Sequence, residues 1–163
     1  VCWSLRLLIL DSGSTIICLA KLLTLKNDLT IITNSISAAN ILADSDNNLY
    51  LVGGEIRNVT MSLSGYWAVN AIKSIKADIS FLGSSGFMSH NGPCSESFVE
   101  AEVKRTIVNN SKSRIVLADS TKFLSDALVE YADWKDIDYL ITDTGATRES
   151  IEKLSGRTKI IQT

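Results

Sequence analysis

An open α/β fold, with a mostly parallel sheet and helices on both faces, follows from three features of the sequence. Apolar runs of strand length alternate with amphipathic stretches from one end of the chain to the other. Those runs stop at small, hydroxyl-rich or glycine-containing turns, as strands do where they hand over to helices. No Pro/Gly/Ser linker, low-complexity tract or repeat interrupts the pattern, so residues 1–163 are expected to form one domain.

The elements follow in order. Strands are predicted at 7–10, 30–33, 49–52, 78–83, 114–118, 138–142 and 158–161, each a short run rich in Leu, Ile and Val. Helices are predicted at 14–24, 36–43, 66–76, 97–109, 123–132 and 147–154. The clearest is 97–109, where Phe98, Ala101, Val103, Ile107 and Val108 interleave with Glu100, Glu102, Lys104 and Arg105. The single proline, Pro93, sits in the least regular span, 87–94, which reads as a long loop. In a doubly wound sheet the ligand crevice lies beyond the carboxyl ends of the strands, so the small-residue turns are expected to converge there.

Composition excludes several classes of function. A net charge of -2, with no basic run or basic helical face, argues against this segment itself gripping DNA or an anionic membrane. The apolar runs are far shorter than the roughly 20 residues of a membrane span. The opening Val1–Leu10 lacks the basic start and small-residue cleavage site of a signal peptide. Cys2, Cys18 and Cys94 are widely spaced and unaccompanied by paired histidines, so they read as free thiols in a reducing cytoplasm, with no metal and no cofactor expected. His90, the only histidine, has no partner nearby in sequence and reads as a solvated loop imidazole.

The most informative segment is Leu8-Ile9-Leu10-Asp11-Ser12-Gly13-Ser14-Thr15, an apolar strand running into a turn that opens a helix. Small side chains there let backbone amides approach an anion, hydroxyls add donors, and the unpaired amides of a first helical turn point at the same spot. A plain helix cap from Asp11 or Ser12 is the structural alternative. The theme repeats at Thr33-Asn34-Ser35, Gly53-Gly54-Glu55, Gly83-Ser84-Ser85-Gly86 and Asp119-Ser120-Thr121-Lys122. Asn34 and Ser35 also suit helix capping, Gly53 and Gly54 also suit an ordinary turn, and Glu100 and Lys104, four apart, also suit a surface ion pair.

In this order and spacing, Leu10–Thr15, Thr33–Ser35, Leu51–Arg57, Phe81–Phe87, Glu100–Arg105, Leu117–Phe123 and Ile141–Thr144 resemble the C-terminal, effector-binding domain of DeoR-type transcriptional regulators, over nearly the whole chain. The resemblance implies a fold like that of ribose-5-phosphate isomerase and coenzyme A transferases, and a sensor that binds a phosphorylated sugar or related metabolite. It implies that operator DNA is contacted only through a helix-turn-helix segment N-terminal to this chain, so the chain is expected to be a piece of a repressor, working as a homodimer or homotetramer. By the same resemblance Ser12, Gly13, Ser14 and Thr15 hold the phosphate, while Asp11 accepts a sugar hydroxyl or braces the turn. Thr33, Asn34, Ser35, Gly53, Gly54 and Gly86 line the neighbouring turns, and Glu100, Lys104, Asp119 and Lys122 complete the site. A sugar-phosphate isomerase is the alternative of the same fold. Such enzymes carry an Asp-rich turn after a central strand, where this chain has Gly83-Ser84-Ser85-Gly86.

Overall fold

The computed structural model describes residues 6–163. Its centre is a seven-stranded sheet, every neighbouring pair parallel, in the order β11-β10-β8-β6-β1-β2-β3. These strands are β1 (Leu7–Leu10), β2 (Thr30–Thr33), β3 (Asn48–Leu51), β6 (Ala77–Gly83), β8 (Ser111–Leu117), β10 (Tyr139–Thr142) and β11 (Lys159–Gln162). The helices are α1 (Ser14–Leu23), α2 (Ile36–Leu42), α3 (Tyr66–Lys73), α4 (Phe98–Asn109) and α5 (Arg148–Leu154). Two antiparallel pairs lie outside the main sheet: β4 (Glu55–Arg57) with β5 (Ser62–Ser64), and β7 (Cys94–Ser95) with β9 (Val129–Glu130).

Because successive strand residues point to opposite faces, β1 feeds two cores. Leu8 and Leu10 pack with Ile16 and Ala20 of α1 and Ala38 and Leu42 of α2. Ile9 joins the larger core with α3, α4 and α5 through Ala68, Ile72, Val103, Ile107 and Leu154. The expected arrangement, helices on both faces of an open parallel sheet, is therefore the observed one.

Two parts of the chain depart from expectation. The stretch 123–132 is not a helix: a 3-10 turn at Ser120–Phe123 gives way to irregular chain and then β9. Its apolar spacing mimics a helix, but its backbone bonds go to the long loop instead, with Phe87 N and Met88 N donating to Ser125 O at 2.9 and 3.0 Å and Tyr131 N to Pro93 O at 3.1 Å. The β4–β5 hairpin has no counterpart among the predicted elements. Its strands are three residues long and mostly polar, and Met61, a non-glycine residue at φ 47°, turns the chain into β5 without a glycine signal.

Sheet order fixes where a ligand crevice can form. From β1 the chain steps outward to β2 and β3, then returns to the far side of β1 with β6 and steps outward again to β8, β10 and β11. The reversal falls between β1 and β6, where the connections leaving the carboxyl ends of two paired strands run to opposite sides.

Candidate functional site

A polar cavity of about 240 Å³ opens at this reversal, lined by Ser12, Gly13, Ser14, Thr15 and Ile16 from the β1–α1 turn and Gly83, Ser84 and Ser85 from the end of β6. Thr60, Ser95, Glu96, Glu100, Lys104 and Lys122 close it. The volume lies below the roughly 300–1,000 Å³ of drug-sized sites and suits a small metabolite.

The floor is a buried ion pair. Lys104 Nζ on α4 pairs with Asp11 Oδ2 at the end of β1, and both side chains are more than nine-tenths buried. Lys104 Nζ also donates to Gly83 O at 3.3 Å, Tyr131 Oη donates to the same carbonyl at 2.9 Å, and Gly83 N donates to Asp11 Oδ2 at 3.0 Å. Asp11 therefore braces the two strand ends that form the crevice. Burial, and then the charge of Asp11, hold the Tyr131 phenol well above its ordinary range, so it stays a donor.

The wall at the β1–α1 turn is set by Gly13, the residue before the first turn of α1, at φ 117° and ψ 165°. No side chain caps this helix or α3, which starts at Gly65, whereas Ser35, Ser97 and Thr147 cap α2, α4 and α5. A Cβ on Gly13 would meet nothing within 4 Å, so glycine is required by backbone conformation and not by crowding. Ser12, Gly13, Ser14 and Thr15 line the cavity at the helix start, where the dipole has its positive end.

Lys122 supplies a further cation to the lining and makes no ion pair among the described residues. Its 3-10 turn is fastened on three sides. Asp119 Oδ1 accepts from Thr121 N at 3.0 Å, Asp143 Oδ2 accepts from Ser120 N at 2.9 Å, and Phe87 N donates to Lys122 O at 3.3 Å. The bonds from Ser120 and Gly145 amides hold the Asp143 carboxyl below its ordinary 3.8.

The third wall comes from the start of α4. Glu100 is buried yet not isolated: its Oε1 accepts from Thr60 Oγ1 at 2.7 Å and lies 3.2 Å from Arg57 Nε, and its Oε2 accepts from Ser95 Oγ and Ser97 Oγ at 3.4 Å. Glu100 and Lys104 thus face inward to separate partners and do not pair as i, i+4 neighbours. Phe98, expected on the apolar face of this helix, is instead 67% exposed.

Other candidates stand outside the cavity lining. Thr33, Asn34 and Ser35 are buried beside it and shape the backbone: Thr33 Oγ1 accepts from Ser35 N, Asn34 Nδ2 donates to Leu63 O at 3.2 Å, and Ser35 Oγ caps α2. Asn34 Oδ1 is buried with no hydrogen-bond partner among the described residues. Gly53 lies outside the lining. A Cβ on Gly54 would come within 2.5 Å of Ser64 O, and one on Gly86 within 2.4 Å of Ser125 O, so both permit close chain approach. Asp119 faces a separate depression with Thr15 and Cys18. His90 has partners distant in sequence, Asp126 Oδ1 at 3.2 Å and Ala127 O at 3.0 Å.

Thr60, Ser95 and Glu96 were not among the sequence candidates. Ser95 and Glu96 precede the cap Ser97, a placement that could have flagged them, while Thr60 carries no sequence signal because only the hairpin brings it to the cavity. Among the described residues no cluster of His, Cys, Asp and Glu could hold a metal ion, and no helix is long and apolar enough to cross a membrane. Cys18 is exposed and Cys94 buried, both free, and Cys2 lies outside the described residues.

Together the sheet order and the cavity define an open α/β protein with a metabolite-sized polar site at its topological switch point. The family model described as the DeoR C terminal sensor domain matches residues 4–144, and the chain belongs to that family. It is 34% identical over 136 residues to the HTH-type transcriptional repressor GlcR of Bacillus subtilis, covering 83% of this chain and 52% of that protein. It is 33% identical over 149 residues to the HTH-type transcriptional regulator GolR of Listeria innocua, covering 90% and 58%. It is also 29% identical over 136 residues to a glycerol-3-phosphate regulon repressor of Haemophilus influenzae, covering 83% and 53%. The chain thus spans little more than half the length of these relatives.

Proposed function

We propose that this chain is the effector-sensing part of a sugar-metabolism repressor, and that its cavity binds a phosphorylated sugar or a related polyol phosphate. The observation that carries the reading is the uncapped start of α1, whose Gly13 turn lines the same cavity as Lys122. The phosphate is received by the first-turn amides, the hydroxyls of Ser12, Ser14 and Thr15, and the Lys122 ammonium. Lys104, already paired with Asp11, adds a second cation at the floor. Thr33, Asn34, Ser35, Gly53, Gly54, Gly86 and Asp119 support the turns that shape this site.

Occupancy is proposed to alter operator affinity through a helix-turn-helix segment of the full-length protein, in a cytoplasmic homo-oligomer. The relatives named as repressors support this. The proposed role includes no catalysis: the β6 turn Gly83–Gly86 carries no carboxylate, and Glu100, which does reach the cavity, is engaged by Arg57 and Thr60 rather than free to abstract a proton.

A thermal-shift panel tests the reading, because a ligand that binds only the folded state raises stability by RT ln(1 + [L]/Kd). Phosphate monoesters such as glycerol 3-phosphate and fructose 6-phosphate are expected to raise the melting temperature, and the matching unphosphorylated polyols are not. A panel in which no phosphate ester stabilises the protein would reject the reading, as would isomerase turnover that is lost on changing Glu100 or Lys104.

A further inference from the structure

We propose that the β4–β5 hairpin is the element that reports occupancy of the cavity, clamped by ligand hydroxyls through Glu100, with Thr60 as the hairpin's contact and Arg57 as a positioning residue. The inference rests on the reading of the cavity as a polyol-phosphate site and adds how that site signals.

The two strands of the hairpin are anchored differently. β5 is tied to the body through the β2–α2 turn, with Ile36 N donating to Met61 O at 2.9 Å and Leu63 N to Asn34 O at 2.7 Å. β4 pairs only with β5. Among the described residues, the hydrogen bonds and ion pairs that join 55–60 to anything beyond the hairpin end on one group, the Glu100 carboxylate, from Thr60 Oγ1 at 2.7 Å and Arg57 Nε at 3.2 Å. Apolar packing contributes little to holding this arm, since Ile56 is 55% and Val59 90% exposed.

That single fastening is also cavity wall. Thr60 and Glu100 both line the cavity, so an occupant at this end touches the two sides of the joint at once. Charge sets which part of the occupant arrives there. Glu96 repels a phosphate at the α4 wall, where the charge of Glu100 is already met by Arg57, while Lys122 and the α1 start attract it elsewhere in the cavity, so a phosphate ester is oriented with its hydroxyls toward Glu100. A carboxylate has room for about four donors, and Glu100 accepts three hydrogen bonds, two of them long at 3.4 Å, while Arg57 Nε approaches it without forming one; capacity remains for ligand hydroxyls. A hydroxyl shared between Glu100 and Thr60 cross-links hairpin to helix, and the Arg57 guanidinium, 3.2 Å away, holds the carboxylate at the joint by charge. Inorganic phosphate fills only the α1 end and leaves the hairpin as it was.

Hydrogen exchange read by mass spectrometry tests this on the whole chain, with glycerol 3-phosphate, fructose 6-phosphate and inorganic phosphate as probes. An ester that binds is expected to slow exchange of the 55–61 amides at least about fivefold, the lower end of usual coupling between sites, and saturating inorganic phosphate is expected to leave them unchanged. Arg57→Gln is expected to speed these amides in the free protein and abolish the slowing by the ester, and Arg57→Lys to restore part of it. The α4 and β6 amides in the same spectra report whether each variant is folded. An ester that binds while the hairpin amides do not respond, or equal slowing by inorganic phosphate, overturns this inference and leaves the effector site standing. If none of the three probes binds, the effector-site reading fails and this inference with it.

Discussion

Asp11 and Lys104, 93 positions apart in the chain, form one buried ion pair beneath the cavity, joining the carboxyl end of β1 to the middle of α4. Through Gly83 the pair also reaches the end of β6, so helix α4 is tied to both strand ends at the switch point.

Removing one partner of such a pair leaves the other charge buried and unpaired, which costs about 3–5 kcal/mol. Lys104→Met is expected to destabilise the fold by that amount in urea unfolding. The double variant Lys104→Met/Asp11→Asn should recover part of the loss, and strict additivity of the two single changes would show that the residues do not act as a pair.

Gly13→Val places a β-branched residue at φ 117° and points its side chain into the space before α1. A cost of about 1–3 kcal/mol in stability is expected from the backbone conformation, with unfolding still cooperative. Titration calorimetry with a phosphate ester that stabilises the wild type should detect no binding.

Lys122→Ala removes a cation whose turn is positioned by other groups, so the fold should be little affected. Affinity for a phosphate ester is expected to fall by about 1.5–3 kcal/mol, the range for a hydrogen bond to a charged group. Any binding of the unphosphorylated polyol should be unaltered, and equal losses for both would assign Lys122 to the sugar end of the site.

The acid limb of stability follows from Asp143 and Asp78. Amide donors from Ser120 and Gly145 hold Asp143 below its ordinary 3.8, and the Lys112 hydrogen bond, followed by the Leu7 amide, does the same for Asp78. A carboxylate depressed in the folded state stabilises it above pH 3.8, and that contribution disappears as pH falls through the folded value. Stability measured by urea midpoints is expected to drop below pH 4, less steeply in Asp143→Asn.

Cys94 behaves oppositely. Burial, then the charges of Glu130 and Asp126, push its thiol up to about 12 from 9.0. The folded state therefore keeps the proton while the unfolded chain loses it, and stability falls as pH rises from 9 towards 12. At pH 8 iodoacetamide should label Cys18 in the native protein and spare Cys94 until denaturant is added, as peptide mass mapping would show.

Much of this molecule is legible in its sequence because the information is local. Alternation of apolar runs with amphipathic segments gives the parallel sheet and its helices, since each element must bury its own apolar face. The Asp11–Thr15 turn is legible as a strand end that opens a helix, while the absence of a cap from Asp11 or Ser12 is seen only in the structure.

Tertiary structure decided what depends on residues far apart in the chain. Strand order selected which turns meet, bringing Ser12–Thr15, Gly83–Ser85 and Lys122 to one cavity and leaving Gly53, Gly54, Gly86 and Asp119 outside its lining. The apolar spacing of 123–132 yielded to hydrogen bonds with the loop before Pro93. Helix α4 turned Glu100 and Lys104 inward and Phe98 outward, since charges can be buried where Arg57, Thr60 and Asp11 wait to pair with them. None of those partners lies near α4 in sequence, and a pairing energy that depends on distance in space leaves no mark on spacing along the chain.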